Sequence, residues 1–467
     1  MPPRKKKKPQ NVGELRASGY KVSTIREELR KNLITKLKSG DRLFPNIFGY
    51  DETVIPQITN AILAGQDIVF LGERGQAKSR IIRSLIDFLD EEYPVLAGCE
   101  IPEDPYDPIT VQGKNLILEN GDASEIRWMS RDERYSEKLA TPDITIADLI
   151  GEVDPIKVAE GRYLSDELTI HYGLIPRINH GIFCINELPD LAERIQVGLL
   201  NIMEERDVQI RGHRVRLPLD VFVVASANPE DYTNRGRIIT PLKDRYGAQV
   251  RTHYPQSVQH ELDIVELEKL PAPKDFKVHV PAFMNEIIIE ITKQARKSPD
   301  VNQRSGVSVR TSIANYESIV ANALRRALKH KEKEVVPRIS DLPYIIPSTS
   351  GKVEFETIED GQEEEIIAKL VENATVTVFN RFFNIPELEE VVTRFRSGVS
   401  IEVGESIASK EYTKIVKQIS DLKAPLEKLE MTGSGNVASA VEFIFEGLHL
   451  NKRLNKDHVG SKMLYRT

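Results

Sequence analysis

The chain has 467 residues, 40% of them hydrophobic and 29% charged, which predicts a soluble globular protein of two or three domains. Its formal net charge is −7, and because Arg4 to Lys8 carry five positive charges the remainder stands near −12; an acidic body argues against broad non-specific DNA binding. Two cysteines, Cys99 and Cys184, sit outside any metal-ligand spacing and point to a reducing, cytoplasmic setting without a disulfide framework, and no apolar run nears the roughly 20 residues that a membrane helix needs.

The N-terminus, "MPPRKKKKPQNVGE", is basic but has no apolar stretch behind it, so it reads as a disordered solubilising tail rather than a secretory signal. A polyanion-binding arm or a nuclear address is the other reading. "VSTIREELRKNLITKLKSG" has helical spacing and a stop at Gly40, and "TVIPQITNAILAG" is a second helix closing at Gly65. Short apolar strands then alternate with helices: "DIVFLG", "GIFCIN" and "VFVVASAN". This alternation predicts an α/β fold, a mostly parallel sheet with helices on both faces, from about Phe44 to about Tyr254. Cys184, inside one of those strands, is expected to be a core residue.

From about Val280 to Val336 the pattern is helical, and the acidic stretch "EFETIEDGQEEE" marks a connector or an exposed helix start. The last helix, within "NVASAVEFIFEGLHLNKRL", sets Val437, Val441, Phe445 and Leu448 on one face for docking. The expected division is a tail and N-terminal helix over 1–43, the α/β core over 44–265, a small helical domain over 275–340, and a mostly helical extension over 345–467.

The chemistry begins at "VFLGERGQAKSR", Val69 to Arg80. Gly72-Glu73-Arg74-Gly75-Gln76-Ala77-Lys78-Ser79 follows the phosphate-loop pattern G-x-x-x-x-G-K-[ST] except that Ala77 replaces the last glycine. Such a loop needs inward backbone N–H groups, a lysine for the β/γ-phosphates and a hydroxyl for Mg²⁺, and the following helix start favours anions. Ala77 keeps its N–H and fits if its φ is negative, while Gly75 is free to take a positive φ. The alternative is an ordinary capping turn with a solvent-facing lysine.

Downstream order favours a nucleotide site. "GIFCINELPDL" ends its strand in Asn186-Glu187, where such an ATPase carries the acidic pair for Mg²⁺ and the attacking water. "VFVVASANPED" ends in Asn228, whose amide can bond both the water and the γ-phosphate. "ITPLKDRYG" offers Arg245, and "SGVSVRTSIAN" offers Arg310 at a helix start.

With these and "NIFGYDETV", "LAGCEIPEDPYDP", "ATPDITIADLIGEVD" and "GLIPRINHGI", the chain resembles AAA+ ATPases, specifically the magnesium chelatase I subunit and its MoxR-type relatives, over roughly Phe44 to Lys329. The resemblance implies ATP and Mg²⁺ as cofactors. It makes Lys78 and Ser79 the Walker A lysine and hydroxyl, Glu187 the residue polarising water, Asn228 sensor 1, Arg245 an arginine finger and Arg310 sensor 2. A finger reaches into the neighbouring protomer, so a ring, usually a hexamer, is implied. A partner bearing a von Willebrand A domain, sometimes in metal insertion, is implied in the same way. Two family insertions correspond to "GEVDPIKVAEGRYLSDELTIHYG" and to the hairpin "VQIRGHRVRL", with Gly212-His213 at its turn. For Arg211 and Arg214, a surface role and a functional one stay open.

The main departure is Asn186, where the family usually has aspartate. Asparagine keeps an oxygen for a hard cation but loses the charge. Nucleotide binding is therefore expected to survive, hydrolysis to be retained or slowed, and Asn186→Asp to tighten the Mg²⁺ dependence. The readings are an ATP-hydrolysing ring motor or chaperone, a nucleic-acid motor of the helicase superclade using Arg211, His213, Arg214 and Arg216, and a nucleotide-bound scaffold without turnover. An enhancer-type activator is disfavoured because "GAFTGA" is absent.

Overall fold

The computed structural model describes residues 8–159, 167–205, 207–209, 216–228, 236–356, 362–459 and 462–467. The chain divides into two compact units, Met1–His253 and Tyr254–Thr467.

The first unit is built on a five-stranded sheet. Its strands are β1 (Ile68–Leu71), β2 (Tyr135–Leu139), β3 (Gly181–Asn186), β4 (Val221–Ala227) and β5 (Ala248–Arg251), in the order β5-β1-β4-β3-β2. Every neighbouring pair is parallel. Successive residues feed opposite faces: Val69, Phe183, Ile185, Val223 and Ala225 enter one core, and Ile68, Phe70, Ile182, Cys184, Phe222 and Val224 the other. Coverage of both faces is why β1, β3 and β4 read as unbroken apolar runs. Cys184 is fully buried in the second of these cores, and burial raises its thiol pKa.

The helix Ile25–Ser39 starts at a Thr24/Glu27 capping box and stops at Gly40, which takes φ +76°. The helix Val54–Ala64 stops in the same way at Gly65. The disordered-tail expectation fails beyond residue 7. Pro9 O accepts the Trp128 indole N–H at 2.9 Å, Gln10 O accepts the Ile126 N–H at 3.0 Å, and a short helix Val12–Ala17 buries Val12 and Leu15 against Leu96 and Ile126. Aromatic and apolar anchors therefore outweigh the polar composition of this segment. Of the two insertions, the first pairs Gly151–Val153 with Ile170–Tyr172, and the second pairs Asp207–Gln209 with Arg216–Pro218, Val208 opposite Leu217. The turn with Arg211, Gly212, His213 and Arg214 lies outside the described residues.

In the second unit, the helices Ala282–Ala295, Val309–His330, Gln362–Phe382 and Ser434–Leu450 contribute to one apolar core that runs from Val265 to Tyr465. Ser434–Leu450 does not dock by one face. It is buried nearly all round from Ala438 to Leu448, with Glu442 and Glu446 held by Tyr412, Tyr465 and Lys456. A three-stranded antiparallel sheet, Ile401–Val403, Lys462–Arg466 and Asn455–Val459 in that spatial order, accompanies the helices of the extension.

Candidate nucleotide site

The loop Gly72–Ser79 leaves the C-terminal end of β1 and enters the helix Lys78–Ser84, which continues as a 3₁₀ turn to Phe88. Lys78 is only 7% exposed, which rules out a capping turn with a solvent-facing lysine. Its ammonium donates to the carbonyls of Gly72 and of Glu73, the latter at 2.8 Å, and to Asn228 Oδ1 at 2.6 Å. Gly75 takes φ +76°, as a turn glycine can. Ala77 overturns its condition: φ is +56° and ψ +13°, the left-handed region. An L-residue there costs about 1–2 kcal/mol, and strain of this kind tends to collect at functional sites.

The loop is braced from behind. Gln76 is buried, and its Oε1 accepts the Glu73 N–H at 3.1 Å and the Thr252 hydroxyl at 2.8 Å. Tyr50 donates to the carbonyls of Gln76, at 2.9 Å, and of His253, at 2.6 Å. Burial pushes the Tyr50 phenol pKa far up, so it remains a neutral donor. Arg74 and Ser79 are exposed.

β4 lies between β1 and β3, so Asn228, just past its end, stands between the loop and Glu187. It bonds both: its Oδ1 accepts from Lys78 and its Nδ2 donates to Glu187 Oε2. Glu187 is itself left-handed, with φ +55°, and turns the chain sharply out of β3. Its N–H donates to Ser226 Oγ at 3.2 Å, and the Ser226 hydroxyl donates to Asn186 Oδ1 at 3.0 Å. A non-glycine residue in this conformation at the carboxyl edge of a parallel sheet, beside a phosphate-type loop, is where a ligand site is expected.

Asn186 is buried, and its amide nitrogen donates to Glu137 Oε1, on β2. Arg83 grips the same carboxylate in a two-pronged contact at 2.8 and 2.9 Å, and the Tyr135 hydroxyl adds a third donor at 3.0 Å. Arg83 above all, with Tyr135 adding to it and burial opposing, holds the Glu137 carboxyl below its ordinary value. Glu137, Ser226, Thr252 and Tyr50 escaped the motif reading. The signal that could have found Glu137 is the missing charge at 186, but locating its substitute requires the β2–β3 register.

The remaining candidates have other hydrogen-bond partners. Arg245 ends the helix Thr240–Arg245. Its guanidinium pairs with Glu204, Nε to Oε2 at 3.1 Å, and its Nη1 donates to Pro241 O at 3.2 Å, with about a quarter of the side chain exposed. Arg310 belongs to the second unit. It is exposed at the second position of the helix Val309–His330, and its N–H donates to the Ser308 hydroxyl.

A family model described as the Sigma-54 interaction domain matches residues 160–242, a span that includes β3, β4 and the start of the Arg245 helix. An uncharacterized protein of Bacillus subtilis (strain 168), YeaC, is 28% identical over 264 residues, covering 51% of this chain and 76% of its own. The magnesium-chelatase subunit ChlI of a Nostoc species is 24% identical over 385 residues, covering 77% of this chain and 95% of its own. Among solved structures, a magnesium-chelatase complex of BchI and BchD aligns with a TM-score of 0.35 at 17% identity, over 69% of this chain and 98% of that one. A protein of Cytophaga hutchinsonii described as a "putative ATPase" aligns with a TM-score of 0.32 at 14% identity, over 76% of this chain and 98% of that one. Motifs, fold class and sequence relatives agree in likening the chain to AAA+ proteins of the magnesium-chelatase I-subunit type.

Proposed function

We propose that the carboxyl edge of the sheet binds ATP with Mg²⁺ and hydrolyses it. The observation that carries this reading is the hydrogen-bonded series Lys78–Asn228–Glu187, which joins the phosphate-type loop to a carboxylate through a neutral amide. The residues fit the ligand. A Cβ at Gly72 would strike the brace behind the loop, and Lys78 is a buried cation lined by carbonyls that triphosphate oxygens can replace as partners. Among the described residues no group of three or more His, Cys, Asp or Glu could hold a metal ion by itself, so the oxygens of Ser79 and Asn186 would serve a cation arriving with the phosphates. That cation would supply charge neutralisation at the β/γ-phosphates.

In this reading Glu187 orients and polarises the attacking water, while Asn228 holds water and γ-phosphate in register. Arg245 exchanges Glu204 for the nucleotide of a neighbouring protomer in a ring, a hexamer by family resemblance. Arg310 senses the nucleotide from the helical unit. In this proposal ATP binding closes the helical unit through Arg310 and hydrolysis relaxes it, and that motion drives remodelling of a partner protein in the MoxR manner, a von Willebrand A domain protein being the partner the resemblance offers, with metal insertion as one such task. The proposed setting is the reducing cytoplasm, in keeping with the free cysteines Cys99 and Cys184; no helix among the described residues is long and apolar enough to cross a membrane.

The test is steady-state ATP turnover of the wild type against Glu187→Gln. Turnover in the wild type that falls to background in the variant supports the reading. Equal background rates in both would leave a scaffold, and stimulation by DNA with a steep salt dependence would favour a nucleic-acid motor.

A further inference from the structure

Position 186 carries an uncharged amide at the end of β3, and both ends of that amide are hydrogen-bonded. Oδ1 accepts from Ser226, and Nδ2 donates to Glu137. An aspartate could not make the second bond. It would instead set two carboxylates against each other at a position that is only 8% exposed. The neighbouring strand carries what β3 lacks. In the parallel register Glu137 lies opposite Cys184 and Leu139 opposite Asn186, so Glu137 reaches forward along the same face to the amide. Arg83 fixes it from the phosphate-loop helix, one turn beyond Ser79. Arg83, Glu137 and Asn186 thus form one hydrogen-bonded row, and Ser79 lies one helical turn before Arg83.

We infer that Glu137 is a positioning residue that supplies, from β2, the negative charge missing at position 186, and that the Asn186 amide relays it toward the cation of the bound nucleotide. The asparagine is then the matched half of a pair whose charge has moved one strand sideways. The inference rests on the nucleotide reading above and names the residue that tunes its cation. Outer residues of this kind typically govern metal affinity by 10- to 100-fold.

The experiment is equilibrium binding of a fluorescent ATP analogue to the full chain, across a Mg²⁺ titration and in excess EDTA. The proteins are wild type, Glu137→Gln, Asn186→Asp and the exchange Asn186→Asp/Glu137→Gln, with melting temperatures of the nucleotide-free proteins alongside. Glu137→Gln is expected to raise the half-saturating Mg²⁺ about tenfold while leaving affinity in EDTA unchanged. Asn186→Asp alone is expected to lower the nucleotide-free melting temperature, because its carboxylate meets Glu137. The exchange, in which a glutamine amide on β2 can donate to the new carboxylate on β3, is expected to recover both properties. It also serves as the probe if Glu137→Gln does not fold. An unchanged Mg²⁺ titration in Glu137→Gln, a parallel loss in EDTA and Mg²⁺, or an exchange variant no better than the single changes would each overturn the inference while the nucleotide site stands. Absence of binding by the wild type under both conditions would overturn the site and the inference together.

Discussion

Gly72→Ala probes the brace behind the phosphate-type loop. A Cβ at this position lies 1.9 Å from Thr252 Oγ1, 2.3 Å from Gln76 Oε1 and 3.2 Å from Thr252 Cβ. The two oxygens are bonded to each other at 2.8 Å, and Gln76 Oε1 also receives the Glu73 N–H at 3.1 Å. The new methyl must displace both. Two hydrogen bonds at about 0.5–1.5 kcal/mol each, added to the lower part of the usual overpacking penalty, give roughly 2–4 kcal/mol. At about 2–4 °C per kcal/mol for a unit of this size, melting should fall by roughly 5–15 °C. Thermal denaturation followed by circular dichroism reads this directly. A double-mutant cycle with Thr252→Ala, which removes the nearest oxygen, should show favourable coupling. Wild-type melting in Gly72→Ala, or strict additivity in the cycle, would refute the close approach.

The left-handed Ala77 leads to the opposite expectation. Ala77→Gly relieves about 1–2 kcal/mol of backbone strain against about 0.5–1 kcal/mol of added chain entropy, so chemical denaturation should show a small gain, and a loss would contradict the assigned φ. In the second unit, the buried pair Arg326–Asp341 is 2% and 0% exposed. Arg326→Met strands Asp341 and should cost roughly 3–5 kcal/mol in urea unfolding; a neutral outcome would mean that the pair is not buried. Glu133 accepts the Ser130 N–H, and this bond, followed by Arg127, lowers its folded pKa from 4.5. The stabilisation is present above pH about 4.5 and is lost as pH falls through the folded value, so Glu133→Gln should flatten the acid limb of stability; an unchanged limb would argue against it. Arg245→Ala is expected to lower turnover by on the order of 10³–10⁵ with nucleotide affinity kept, and wild-type turnover would remove Arg245 from the chemistry.

The three central strands were legible because they are buried on both faces, so Ile68–Leu71, Gly181–Ile185 and Val221–Ala225 carry nothing polar before their functional ends. The edge strands were not. "YSEKL" and "AQVR" carry charged or polar residues along their short length, as sheet edges do, and nothing in their pattern separates them from loops. Glu137 was hidden for the same reason. Its importance comes from the register of β2 on β3, a long-range fact without a local signature. Ala77 misled because the methyl argued for a negative φ. The packed ends of the loop, anchored through Gly72, Gln76 and Lys78, impose a positive one, and the strain is small beside those contacts. The last helix looked one-sided from Val437, Val441, Phe445 and Leu448, whereas tyrosine and lysine partners brought from distant sequence let Glu442 and Glu446 be buried as well.

The central claim is that Lys78, joined through Asn228 to Glu187, grips a triphosphate. Equilibrium binding of ATP in Mg²⁺ to the wild type and to Lys78→Ala tests it most directly. Saturable binding in the wild type that is lost in the variant is the expected result; equal binding by both proteins, or binding by neither, would contradict it.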